Sequence, residues 1–78
     1  MATPKEIPSK VNSAASKVAP AASNSLYVVG CLKAGNLTVV IKGSTINCGS
    51  VGPVAFPSPI ECESFTPAAI GQVVYYEQ

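Results

Sequence analysis

Residues 26–48, LYVVGCLKAGNLTVVIKGSTINC, constrain the fold more than any other part of the chain. Within them Leu37, Val39 and Ile41 alternate with Thr38, Val40 and Lys42. Successive side chains of a strand point to opposite sides of the pleat, so a period of two puts each set on its own face. Thr, Val and Ile also carry the branched side chains that fit a pleated surface. Upstream, residues 26–32 are apolar at both parities, which predicts a strand covered on both faces. Gly30 inside it marks a bulge or a close backbone approach. Residues 33–36, KAGN, read as a hairpin connection in which Gly35 or Asn36 takes positive φ. Gly43 and Ser44 mark the next turn, after which Ile46 and Cys48 continue an inward face. The reading is three consecutive strands joined by tight turns. One layer of sheet covers only one face of residues 26–32, so a closed barrel, a second sheet or another subunit must cover the other.

Downstream, Gly49 to Pro53 form a turn-rich connection and residues 54–56 a short strand ended by Pro57-Ser58-Pro59. Prolines donate no ladder hydrogen bond, so this region belongs at an edge or in a loop. Residues 60–65 alternate again, with Ile60 and Cys62 inward and Glu61 and Glu63 outward. In residues 66–71 Thr66 reads as a helix cap, Pro67 as the first helical position and Gly71 as the stop, which predicts one helical turn. Residues 72–77 form a last strand, apolar on both faces. Five or six short, closely spaced strands predict an all-β domain, a small barrel or sandwich of SH3-like or OB-like type.

The chain divides unevenly. Residues 1–25 are rich in Ala, Ser, Pro and Lys and hold almost no large apolar side chains. Three prolines interrupt any long helix there, and the apolar stripe of Val11, Ala14, Ala15 and Val18 is too thin to hold a short one alone. The segment reads as a flexible or extended N-terminal arm, and residues 26–78 as the β domain. The arm carries Lys5, Lys10 and Lys17 against Glu6, a balance of +2. The body carries Lys33 and Lys42 against Glu61, Glu63 and Glu77, a balance of −1. A domain this small is marginal by itself and calls for a staple, a metal or a partner. Only 12% of the residues are charged, about half the usual quarter. Interface cores share that shortage.

Chemistry has few parts to work with. The chain contains no His, Asp, Arg or Trp, which leaves a hydroxyl or thiol nucleophile only Lys or Glu as a base. Cys31, Cys48 and Cys62 lack C-x-x-C spacing and a histidine to complete a zinc set, and an odd count argues against a closed disulfide framework. They read as small hydrophobes on strands. Neither an enzyme nor a cofactor site is expected. Phosphate binding needs clustered Lys or Arg, and the body is net acidic, so nucleic acid is disfavoured. Asn36-Leu37-Thr38 matches a glycosylation sequon. No leader or membrane-length apolar run precedes it, so cytoplasmic synthesis is expected and the sequon reads as a chance match.

The reading that fits is a structural or assembly protein that packs against copies of itself or a larger assembly. Its means are charge-poor β surfaces and the arm. Val40, Tyr75 and Tyr76 are the expected contact residues, and Lys5, Lys10 and Lys17 the expected arm anchors. By analogy of design, without any matched motif, a capsid decoration or cement component of a virus or phage particle has this economy, with the virion as its location. The alternative is a small β-barrel that binds single-stranded nucleic acid or another ligand through Tyr27, Tyr75 and Tyr76. A low-activity enzyme or toxin acting through a cysteine is a third class. No membrane and no small-molecule substrate are expected.

Overall fold

Lys42 and Gly43 both take positive φ, 51° and 81°, the backbone that a two-residue hairpin loop requires. In the computed structural model, which describes residues 9–78, that turn joins the best-paired strands of the chain. These are β3 (Gly35–Ile41) and β4 (Ser44–Val51), antiparallel with Ile41 opposite Ser44. Around them the described chain forms β1 (Lys10–Val11), β2 (Leu26–Cys31), β5 (Val54–Cys62), β6 (Ser64–Pro67) and β7 (Val73–Glu77). The protein is all-β. A four-stranded antiparallel sheet of order β1-β7-β2-β5 packs on a three-stranded one of order β4-β3-β6, and no closed barrel is formed among the described residues.

The core between the two sheets is small. Leu26, Val28, Cys31, Cys62 and Val73 come from the first sheet, and Leu37, Val39 and Phe65 from the second. Tyr75 packs on its margin, its ring edge-on to Phe65 at 5.0 Å. Alternation in residues 37–41 and the paired faces of β2 create this arrangement as expected. Gly30 has both expected features. The register of β2 with β5 and β7 shifts between Val28 and Gly30. A Cβ at Gly30 would lie 2.5 Å from the carbonyl oxygen of Val54.

Four local expectations are corrected. The strand at 54–56 does not end at the prolines: β5 runs from Val54 through Pro57 and Pro59 to Cys62. Residues 33–36 do not form a hairpin: neither Gly35 nor Asn36 has positive φ, and the chain crosses there from one sheet to the other. β2 already has β7 and β5 on its two edges, which leaves no room for β3 beside it. Residues 60–65 are not one strand. The ladder stops at Glu63, so that Cys62 ends β5 in the first sheet and Ser64 begins β6 in the second. The helical turn at 66–71 is absent. Thr66 and Pro67 pair with Thr38 and Leu37, while the Gln72 side-chain oxygen accepts from the backbone N–H of Ala68 (2.7 Å) and Ala69 (3.0 Å).

Residues 9–25 lie along one side of the body, with strand pairing only at Lys10–Val11, a bridge at Val18, and bends and a turn between and after them. β1 pairs with β7, and Val18 exchanges two backbone hydrogen bonds with Phe65 of β6 (2.8 and 3.1 Å). The segment therefore crosses from the rim of one sheet to the rim of the other. Asn12 fixes the crossing and is 1% exposed. Its Nδ2 donates to the carbonyls of Ala14 (2.9 Å) and Ala69 (2.8 Å), and its Oδ1 accepts from the N–H of Gln72 (2.8 Å) and Val73 (2.7 Å). Its own N–H donates to Val73 and its carbonyl accepts from Gly71. Further along, the Glu77 carboxylate accepts from Asn24 Nδ2 and from the Ala21 N–H, both at 2.8 Å. These two bonds, and less strongly Lys10, hold its pKa below the usual carboxylate value against a small opposing effect of burial.

Replacing Asn12 by Ala leaves the buried N–H groups of Gln72 and Val73 unpaired. At about 1–3 kcal/mol for each of the two unsatisfied groups, the Asn12→Ala protein is expected to lose about 2–6 kcal/mol in urea unfolding. An unchanged midpoint would show that residues 9–14 contribute nothing to the fold.

Candidate functional site

The edges of the two sheets are finished differently. On one side the crossing segment caps both, β1 against β7 and Val18 against β6. On the other side β4 and β5 each pair with a single neighbour, and they belong to different sheets. No described strand bridges them. A cleft of 230 Å³ opens between them, with buried Val28, Leu37 and Val39 as its floor. Ile46 and Cys48 of β4 and Phe56 and Ile60 of β5 form its rim. Ile46 is 43% exposed and Ile60 37%. Every lining side chain is apolar or a thiol. Ile60, expected inward, points toward the core region and yet meets solvent because nothing closes this side.

A second apolar surface lies on the outer face of the four-stranded sheet. Tyr27 and Tyr76 are register partners, and their rings stack at 5.0 Å with a 10° interplanar angle. Val11 lies opposite Val74 on the same face. Val11 is exposed, while Tyr27, Val29, Val74 and Tyr76 are half-buried. Both parities of β2 and β7 are thus apolar, but only one is covered by the second sheet. Burial and the neighbouring Glu61 raise the Tyr27 phenol above its ordinary pKa, with a smaller push from Tyr76.

The expected contact residues are scattered by the fold. Val40 sits half-buried between Thr45 and Ser64, at the opposite parity from buried Val39. Tyr76 lies on the outer face of the other sheet, and Tyr75 turns to Phe65 at the core margin. Lys10 and Lys17 are exposed on the crossing segment, and Lys5 lies outside the described residues. Of Val28, Val40, Val74, Tyr75 and Tyr76, only Val28 is fully buried. The feature not read from the sequence is the neutrality of residues 43–60, GSTINCGSVGPVAFPSPI, which hold no charged side chain. That run supplies all of β4 and most of β5.

No group of three or more metal-ligating side chains occurs among the described residues, and no described helix is long and apolar enough to cross a membrane. A pocket of 190 Å³, which shares Ile41 with the cleft, holds Lys42, Glu61 and Glu63 beside Ser25 and buried Cys62. The three thiols are free. Burial raises the Cys31 pKa, with a smaller contribution from Cys48. Burial pushes Cys62 to about 11, partly offset by a hydrogen bond from the Ser64 backbone. Cys48 is exposed on the cleft rim.

Two outcomes follow from the thiols. In dilute native protein iodoacetamide is expected to modify Cys48 alone, and Cys31 and Cys62 only after unfolding; equal rates at all three would show that β2 and β5 do not shield their thiols. Between the ordinary thiol value of 9.0 and about 11, Cys62 ionises in the unfolded chain but stays protonated in the folded one. Stability is therefore expected to fall as pH rises through that window, and Cys62→Ala is expected to flatten the decline measured by urea unfolding. A decline as steep as in the parent would assign it to other groups.

Compared with known proteins, the chain matches no family model, no curated protein and no solved structure.

Proposed function

We propose that this protein is an assembly component, which packs through charge-poor β surfaces against copies of itself or within a larger structure. The observation that carries the reading is the open side of the sandwich. Its two longest strands, β4 and β5, border an apolar cleft and are built from the neutral run 43–60. A solution surface of this kind is ill suited to isolation, because charge on edge strands is what keeps sheets from adhering. The outer face around Tyr27, Val29, Val74 and Tyr76 supports the same reading. A place in the shell of a virus or phage particle, as a decoration or cement protein, is the setting proposed by analogy of size and composition. The work done there is complementarity of shape and the exclusion of water.

Binding of single-stranded nucleic acid through Tyr27, Tyr75 and Tyr76 has less support. Tyr27 and Tyr76 stack on each other, Tyr75 packs at the core margin, and Glu61 opposite Tyr27 sets a negative charge beside the rings.

Native mass spectrometry of the full chain over a micromolar-to-millimolar series is expected to show species larger than the 7.9 kDa protomer. A strict 7.9 kDa monomer at every concentration would remove self-assembly and leave only a larger unlike partner.

A further inference from the structure

We infer that the partner on the open side is a second copy of this chain, joined to the first by antiparallel pairing of β4 with β4 about a twofold axis. The inference rests on the assembly reading and adds to it the partner and the strand.

The four sheet edges decide which surface is free to pair. β1 is two residues long, too short to template another strand. β6 already exchanges hydrogen bonds with Val18. β5 carries Pro57 and Pro59, which donate nothing, and Glu61. Four of its residues, 56–59, loop past Val29 within the register break between Val28 and Gly30. β4 carries neither proline nor charge, and its one irregularity is a bulge where residues 48 and 49 both oppose Leu37, with Gly49 at positive φ. Its eight residues, STINCGSV, pair only with β3. Proline, charge, bulges and short length are the usual means of blunting an edge. Among the described residues β4 is the edge they blunt least, because residues 44–47 pair in unbroken register with β3 and carry no proline or charge.

Self-pairing fits this edge for three reasons. A strand related to its copy by a twofold axis normal to the sheet runs antiparallel to it, which continues the antiparallel pattern of β4, β3 and β6. The result is a six-stranded sheet of order β6-β3-β4-β4-β3-β6. A twofold interface pairs residue i of one copy with residue j of the other and j with i, so a strand without charge meets its copy without repulsion at any register. Finally, the rims of the two clefts, Ile46 and Ile60 in each copy, come to the same seam and cover one another. An edge about 27 Å long and one sandwich deep presents about 500 Å² per copy, or about 1,000 Å² in the pair, near the floor for a specific interface. The expected dimer is therefore weak and reversible, its population rising with protein concentration.

Sedimentation equilibrium of the full chain tests this against two variants. Thr45 and Asn47 are exposed, at the opposite parity from Ile46 on the cleft rim, so Thr45→Lys with Asn47→Lys adds charge to the edge while sparing the core. The double variant is expected to weaken the dimer about a hundredfold, and Thr45→Lys alone to weaken it in the same direction, with far-UV circular dichroism unchanged. Val11→Lys, on the outer face of the other sheet, is expected to leave it intact. A dimer lost with Val11→Lys but kept by both edge variants would overturn β4 pairing while leaving the assembly reading standing. A parent chain that stays monomeric at every concentration would overturn the twofold pairing itself.

Discussion

Asn12 spends all of its hydrogen-bonding capacity, side chain and backbone together, on holding residues 10–14 against 69–73. A buried amide left partly unpaired would destabilise so small a domain, whereas a fully paired one fixes a unique path for the chain. Gln72 extends the network. Its side chain closes the 68–72 turn and donates to the Asn36 carbonyl at 3.2 Å, where β3 begins. Its backbone carbonyl accepts from Leu32 at the end of β2. Two polar residues thereby tie the crossing segment to both sheets. A core of eight apolar side chains gains a rigid side wall in place of more hydrophobic mass.

That wall makes the molecule asymmetric. The side closed by residues 9–18 is paired at Lys10–Asn12 and at Val18; the opposite side ends in two long strands that share no hydrogen bonds with each other. Sandwich cores are normally completed by side chains from both edges. Here the floor of the cleft, Val28, Leu37 and Val39, belongs to the core itself, and its rim of Ile46, Phe56 and Ile60 is half open. Assembly is thus proposed as completion of a core that the chain leaves unfinished. The same economy explains why charge is scarce where the strands are longest.

The sequence makes some of this plain and conceals the rest for physical reasons. Strand periodicity at 37–41, the close approach at Gly30 and the edge position of Pro57 and Pro59 each follow from local chemistry, and each is legible. Pairing partners are not local. KAGN has the composition of a hairpin turn, yet β2 has both edges occupied by strands more than twenty residues away. The signals at 66–71 satisfy helix rules, but pairing of Pro67 with Leu37 and capture of two N–H groups by Gln72 give the backbone another arrangement. Asn12 lies in a segment of Ala, Ser and Lys where periodicity carries no signal, so nothing in the string separates it from a solvated residue. The surplus of apolar strand surface was readable from β2 and β7; its location was not, because Tyr75 and Tyr76 differ only in which face the register gives them. The neutral run 43–60 is plain in the string, but its meaning depends on β4 and β5 being edges.

The central claim is that this fold leaves strand surface which a second molecule shelters. Amide hydrogen exchange, followed peptide by peptide as protein concentration rises, examines it most directly. Protection is expected to increase in residues 44–51 and around the cleft rim at Ile60, while the Asn12 region, already paired within one copy, stays constant. Exchange that is identical at every concentration across 44–62 and the outer face of β2 and β7 would contradict the claim that copies of the chain shelter this surface.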